Sequence, residues 1–288
     1  MLRIAYLNGA YVPYEQACVH IEDRGFQFAD AVYEVCEISD GCIIDITRHL
    51  NRLDRSLGEL RIDAPMVRGA LTVVMCEVVR RNRVRNGLVY LQVTRGIAPR
   101  DHVFPPPGTR PGLFMTAKHA NPKVLAMKAE TGVKVISVKE NRWDRVDIKS
   151  TSLLPNVLAR QSAKEAGAQE AWFVDRDGFV TEGGATNAWI ITAEGKLVTR
   201  PAEHGILRGV TRTTALDAAQ KLGLDVEERA FTVEEAKQAR EAFITSATSV
   251  VIPVVEIDGS PVANGHPGSI SRDLRKAFFD CTEKLDVY

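Results

Sequence analysis

The chain is expected to fold as an α+β protein rather than as a doubly wound parallel sheet. Short apolar runs rich in β-branched residues outnumber helical periods. Tight-turn dipeptides punctuate them at Asn8-Gly9, Asp40-Gly41, Asp177-Gly178 and Asp258-Gly259. A polar stretch, Lys118–Lys123, carries an Asn-Pro breaker near the middle of the chain. The expected division is therefore a small N-terminal α/β domain over 1–117, a linker over 118–124 and a larger C-terminal domain over 125–288. A length of 288 residues accommodates both.

In the first half, Ala5–Leu7 and Ala10–Val12 read as a hairpin across Asn8-Gly9. Asp23–Asp30 reads as a polar and aromatic loop. Ala31–Ile38 alternates as a strand, with Val32, Glu34 and Cys36 on one face and Tyr33 and Val35 on the other. Tyr33 is either a half-buried core tyrosine or a hydroxyl presented to a cleft. Thr47–Leu60 reads as a helix with Leu50, Leu53, Leu57 and Leu60 as its apolar stripe. Its polar face carries Arg48, His49, Arg52 and Arg55, either as a solvated face or with one guanidinium reaching an anion. Met66–Arg81 reads as a second helix, and the arginines after it suit a helix C-terminus. Leu88–Thr94 is a strand that runs into a proline-stiffened loop containing Arg100 and His102. One residue apart in an extended loop, these two point the same way and are placed to trap a carboxylate, unless the loop is simply a basic surface. Leu113–Ala117 is a further strand.

In the second half, Gly132–Val138 is a strand, and Val146-Asp147-Ile148-Lys149-Ser150 follows. A lysine at a strand end, just before a polar turn, can point its amine into a cleft, where desolvation favours the neutral form that a Schiff-base lysine needs. The alternative is one solvated surface lysine among many. Asn156–Gly167 reads as a helix, and Ala171–Val174 and Phe179–Glu182 as strands, with Glu182 at the edge just before Gly183-Gly184. Ala188–Thr192 resumes the sheet. Gly205–Arg212 leads into a helix to Leu222 whose start, at Gly209-Val210-Thr211, is either an anion site or an ordinary cap. Thr232–Glu235 is a capping box. The strands Ala242–Thr245 and Val250–Ile257 flank a hydroxyl-rich turn, Ser246–Ser249, able to offer N–H groups to a phosphate. A C-terminal helix starts near Ser269.

Composition narrows the function. Lysine plus arginine is 37 and aspartate plus glutamate is 37, so nothing supports a nucleic-acid or membrane partner bound through bulk charge. The five cysteines, Cys18, Cys36, Cys42, Cys76 and Cys281, are odd in number and irregularly spaced. Reduced thiols in a cytoplasmic protein fit this better than a disulfide framework, and no Cys/His spacing suggests a metal site. No signal-peptide pattern or membrane-spanning run is present.

Taken in order and spacing, several motifs resemble the class IV, or fold-type IV, pyridoxal-phosphate aminotransferases. They are Arg24–Asp30 with Val32–Val35, His49 with Arg52-Leu53, Asp147–Ser150, Thr181-Glu182-Gly183 with Asn187, Leu207–Arg212, and Phe243–Ser246. Within that class the chain is most similar to the bacterial D-amino-acid aminotransferases, on Arg95-Gly96 with Pro99–His102. The resemblance implies a two-domain fold whose C-terminal domain has a mainly antiparallel, barrel-like sheet. It implies pyridoxal 5'-phosphate as cofactor, with Lys149 as its covalent anchor and proton carrier. Glu182 is then implied at the pyridine nitrogen and Leu207 on the ring face. Arg52, Gly209, Val210, Thr211, Ala247 and Thr248 are implied at the phosphate. Tyr33, Val35, Arg100 and His102 would bind substrate, the last two reaching in from the other subunit of a homodimer. The reaction implied is a ping-pong transfer from a D-amino acid such as D-alanine to a 2-oxo acid such as 2-oxoglutarate.

The chain departs from close relatives at two positions. Gly184-Ala185 stands where serines are usual, and Ala247 stands where a phosphate-binding threonine is usual. Three rival readings keep parts of the pattern. Branched-chain L-amino-acid aminotransferases share the lysine and glutamate but lack the Arg-x-His pair. An aminodeoxychorismate-lyase-like enzyme would eliminate pyruvate instead. A pyridoxal-phosphate carrier would not need the carboxylate trap.

Overall fold

The Asn8-Gly9 hairpin forms as expected. In the computed structural model, which describes residues 3–203 and 205–288, β1 (Ile4–Leu7) and β2 (Ala10–Pro13) pair antiparallel. Both turn residues have positive φ, +47° and +103°, the geometry of a primed two-residue turn. Among the described residues the chain forms two compact units. One comprises Met1–Asn121, Ile148–Ser152 and Glu283–Tyr288, and the other Pro122–Asp147 and Leu153–Thr282.

The first unit continues with α1 (Arg24–Phe28), β3 (Ala31–Ser39), β4 (Cys42–Ile44), α2 (Ile46–Leu60), α3 (Arg68–Arg81), β5 (Gly87–Thr94) and β6 (Gly112–His119). Its seven-stranded sheet is antiparallel throughout, with order Lys284–Asp286, β4, β3, β5, β6, β1, β2. Helices α2 and α3 cover one face. Leu50, Leu53 and Leu57 of α2 and Leu71, Met75, Val78 and Val79 of α3 meet Val32, Cys36, Val89, Leu91, Val93 and Met115 of the sheet in one core. The alternation of β3 holds, with Val32, Glu34 and Cys36 buried and Tyr33 and Val35 half-buried.

Two local expectations change here. Asp23–Asp30 is not a loop throughout, because Asp23 caps a short helix by accepting the Gly25 N–H at 2.9 Å. The Asp23 carboxylate also accepts from the Thr94 hydroxyl at 2.8 Å, and so ties the helix to β5. The strand β4 was hidden in the sequence by its length of three residues.

The second unit contains α4 (Pro122–Thr131), β7 (Val133–Lys139), α5 (Leu154–Glu165), β8 (Glu170–Val174), β9 (Val180–Gly183), β10 (Asn187–Ile191), β11 (Leu197–Thr199), α6 (Val210–Lys221), β12 (Val226–Glu228), α7 (Val233–Gln238), β13 (Glu241–Ser246), β14 (Val250–Ile257), β15 (Ser260–Pro261) and α8 (Ser269–Phe278). The final strand of the chain, β16, is Lys284–Asp286 of the first unit. The sheet order is β12-β11-β10-β13-β14-β7-β8-β9, with β15 on β14. Antiparallel ladders predominate, but β7 runs parallel to both its neighbours and β11 parallel to β12.

The chain passes from β9, at one end of this order, to β10, third from the other end, through only Gly184-Ala185-Thr186. Gly183 N–H donates to Thr186 O at 2.7 Å across that turn. Such a short connection requires the sheet to curl back on itself, which is the barrel-like form expected of this domain. Inside the curl lie Trp172, Val180, Ile190, Phe231, Ile244 and Ile252. On the opposite face α6 and α8 cover Trp189, Ile191, Phe243 and Val251. With both faces covered, β10 is buried throughout and β13 as far as Thr245, and their central residues Ala188–Ile191 and Ala242–Ile244 are apolar instead of alternating.

Candidate active site

In the first unit the site is built on the edge of β3. Ile148–Ser152 is not a strand, and Val146-Asp147 lies in a turn. Its backbone nevertheless docks along β3. Tyr33 N–H donates to Lys149 O at 3.0 Å, Thr151 N–H to Ala31 O at 3.1 Å, and Ser150 bridges Val32. Lys149 N–H donates to the Ser56 hydroxyl of α2 at 3.3 Å, and Ile148 is buried in the core. Lys149 is thus fixed at an edge where both faces of β3 are within reach of its long side chain. Its Nζ stands 4.2 Å from the Tyr33 ring centroid, a cation–π distance.

On the buried face of β3, Glu34 is fully enclosed. Arg52 of α2 grips it in bidentate fashion, Nε to Oε1 and Nη2 to Oε2, both at 2.7 Å. His49 Nδ1 lies 2.7 Å from Oε2. Burial alone would raise the Glu34 pKa, but the Arg52 and His49 contacts hold it down at about 2. An ionised carboxylate only accepts, so His49 donates from Nδ1. Burial, helped by the charges of Arg52 and Lys149, outweighs Glu34 and keeps the His49 imidazole below its usual pKa. Burial also works against the Arg52 charge, and Glu34 more than offsets it.

On the other face Tyr33 packs on Tyr90, ring centroids 5.7 Å apart, and Val35 pairs with Tyr90 across the ladder. Arg100 and His102 lie on the loop after β5, each beside the Phe28 ring. The Arg100 guanidinium lies 5.2 Å and the His102 ring 5.4 Å from the Phe28 ring. Both side chains are exposed. The loop is anchored through Arg24, which donates to Asp101 O at 2.6 Å and pairs with Asp30.

In the second unit Glu182, 5% exposed at the end of β9, sits in a constructed nest. Arg142 Nη1 reaches Oε1 at 2.5 Å and Asn187 Nδ2 reaches Oε2 at 3.0 Å. The Leu207 N–H lies 3.2 Å from both oxygens. Asn187 Nδ2 also donates to Leu207 O at 3.0 Å. Arg142 in turn is bidentate to Glu140, which accepts from Thr181 as well. Burial works against both charges, but Glu140 and Glu182 hold Arg142 above its usual pKa, and Arg142 holds Glu140 below.

Glu182, Leu207 and Gly209 are thereby brought together. A Cβ on Gly209 would stand 2.1 Å from Asn187 Oδ1, so glycine there leaves room for the Asn187 carboxamide. Gly209 provides no side-chain cap to α6, and the first N–H groups of the helix, at Val210 and Thr211, have no intrahelical acceptor. A free helix start of this kind suits an anion. Thr248 is exposed on the turn between β13 and β14. The Ser246 hydroxyl bonds Thr248 Oγ1 at 3.2 Å and Ser249 Oγ at 2.6 Å.

Three positions escaped the sequence reading as site residues. Glu34 left a usable signal, since a carboxylate on the buried side of an alternating strand needs a partner. Asn187 stood in a quoted motif with no role assigned to it. Arg142 gave none, because its partner Glu182 lies 40 residues away in sequence.

The first unit thus offers an amine and a guanidinium, and the second a buried carboxylate, a free helix start and a hydroxyl turn. Several known proteins resemble this chain. A family profile for amino-transferase class IV matches residues 31–257. A D-alanine aminotransferase of Bacillus licheniformis is 39% identical over 94% of this chain and 94% of its own. One from Listeria monocytogenes is 38% identical over 95% and 94%, and one from Staphylococcus haemolyticus 36% over 95% of each. The branched-chain amino acid aminotransferase of Escherichia coli superposes with a TM-score of 0.91 at 23% identity, covering 100% of both chains. The branched-chain aminotransferase of the thermophilic archaeon Thermoproteus uzoniensis, solved with norvaline, gives 0.86 at 24%, again covering 100% of both. At such identities the two structures speak for the fold alone.

Proposed function

The chain belongs to the class IV aminotransferases, which are pyridoxal-phosphate-dependent transaminases, and from that premise we propose that it moves the amino group of a D-amino acid such as D-alanine to a 2-oxo acid such as 2-oxoglutarate. The observation that carries the reading is the presence of Arg100 and His102 on one exposed loop, each beside Phe28. A guanidinium and an imidazole on one loop suit the α-carboxylate of an amino acid. The D-alanine aminotransferases of the three bacteria above match almost the whole chain, which supports the same reading.

When bound, the cofactor supplies an electron sink for the carbanion formed at Cα. The chain's residues do the rest. Lys149 would hold the cofactor and, as a free amine, would carry the proton to and from the substrate Cα. Glu182, held by Arg142, Asn187 and the Leu207 N–H, would face the ring nitrogen. Leu207 would pack on the ring. Arg52, the start of α6 at Gly209, Val210 and Thr211, and the turn at Ala247-Thr248 take the phosphate. Because Glu34 already occupies two donors of Arg52, that guanidinium is fixed in direction before any anion arrives. Tyr33 and Val35 line the substrate side. Arg100 and His102 serve the partner subunit of a homodimer. The five free thiols accord with a cytoplasmic enzyme.

The test is a half-reaction. The purified holoenzyme receives D-alanine or L-leucine without any oxo acid, and the visible spectrum is followed. Loss of the cofactor's colour with D-alanine and not with L-leucine is the expected result. The reverse would sink D-specificity and favour the branched-chain reading.

A further inference from the structure

The turn between β13 and β14 holds a buried valine in a backbone conformation that glycine or asparagine ordinarily takes. Val250 has φ +61° and is 2% exposed, packed in the core beneath α6 and α8. Left-handed φ crowds a β-branched side chain against its own backbone. Such a conformation persists only where the surroundings over-determine it.

Besides that core packing, one guanidinium holds the backbone on both sides of Val250. Arg275 of α8 donates from Nη1 to Ser249 O at 2.6 Å and to Val251 O at 2.9 Å, the carbonyls on either side of Val250. The turn closes with Ser249 N–H on Ser246 O at 3.2 Å. Helix α8 is itself pinned to the sheet. The Glu241 carboxylate of β13 accepts the Ile270 and Ser271 N–H groups, both at 2.9 Å. Arg275 therefore acts from a fixed base on the strained end of the turn.

We infer that Arg275 is a positioning residue for the cofactor phosphate: by holding Val250 left-handed it sets the direction of the Ala247 and Thr248 N–H groups and of the turn's hydroxyls. The inference rests on the reading above, in which this turn meets the phosphate. Ala247 adds to its weight. With no hydroxyl of its own, that position contributes only its N–H, whose direction the backbone alone decides.

The test separates phosphate binding from general structure. Full-length protein freed of cofactor is titrated with pyridoxamine 5'-phosphate and, separately, with pyridoxamine, following tryptophan fluorescence. Neither ligand forms a bond to Lys149. Arg275→Gln is expected to raise Kd for the phosphorylated amine about tenfold or more, and to leave Kd for pyridoxamine within about twofold. In a Val250→Gly background, where φ near +61° needs no clamp, the same substitution should cost less than about threefold. Equal weakening for both amines, no weakening, or an undiminished penalty beside Val250→Gly would overturn the inference. Should Arg275→Gln not fold, Arg275→Lys carries the comparison, with a loss confined to the phosphorylated amine as the expected result. A wild-type protein indifferent to the phosphate would overturn the functional reading itself, and this inference with it.

Discussion

At the scale of single residues, the firmest commitment is Glu34. A carboxylate held at about 2 from an ordinary 4.5 contributes stability that is fully present above pH 4.5 and is lost as pH falls towards 2. The shift corresponds to roughly 3 kcal/mol. His49 acts in the same direction at higher pH, because its folded pKa lies below its ordinary 6.5 and the unfolded chain takes up the proton first. Acid destabilisation should therefore begin near pH 6.5 and steepen below 4.5. Glu34→Gln should cost about 3–5 kcal/mol at pH 7 by leaving Arg52 partly unpaired in the interior. It should also flatten the dependence between pH 4.5 and 2, which urea unfolding across that range would show. Retention of the wild-type slope would mean that Glu34 does not carry it.

At the scale of elements, the start of α6 shows how one residue type meets two demands. Gly209 leaves the helix N–H groups uncovered and leaves room for the Asn187 carboxamide. Gly209→Ala must displace Asn187, and with it one of the bonds that hold Glu182. We expect pyridoxamine 5'-phosphate to bind about tenfold more weakly. Gly58, in the last turn of α2, has open space at its Cβ position. Gly58→Ala should leave binding unchanged and stabilise the protein by about 0.5–1 kcal/mol. Matched effects of the two substitutions on binding would contradict the packing account. The Gly209-Val210-Thr211 helix start was legible in sequence because a glycine before a small hydroxyl residue is a local pattern. That Asn187 shapes the same corner was not, since β10 and α6 are separated by β11 and a loop.

At the scale of the whole molecule, the proposed assembly makes a quantitative demand. If Arg100 and His102 serve the partner subunit, Lys149→Ala and Arg100→Ala homodimers are each inactive through different halves of the site. A heterodimer of the two then contains one site with both residues intact. Subunit exchange of an equal mixture should restore roughly a quarter of wild-type activity, half the dimers being mixed with one working site each. An inactive mixture, with exchange verified by differently tagged subunits, would place Arg100 in its own subunit's site.

The sequence by itself determined the α+β class, the hairpins, the long helices and the Arg-x-His spacing, because each depends on neighbours a few residues apart. It also placed Glu34 on the face opposite Tyr33, since side chains in a strand alternate. Tertiary structure alone decided that Lys149 joins the edge of β3, that Arg142 neutralises Glu182, and that Arg275 clamps a strained turn. It also assigned Lys284–Asp286 to the first sheet. In each case the backbone or charge of one segment is satisfied by another far along the chain. No local period or propensity records such pairing, and only the folded chain brings the partners within hydrogen-bonding distance.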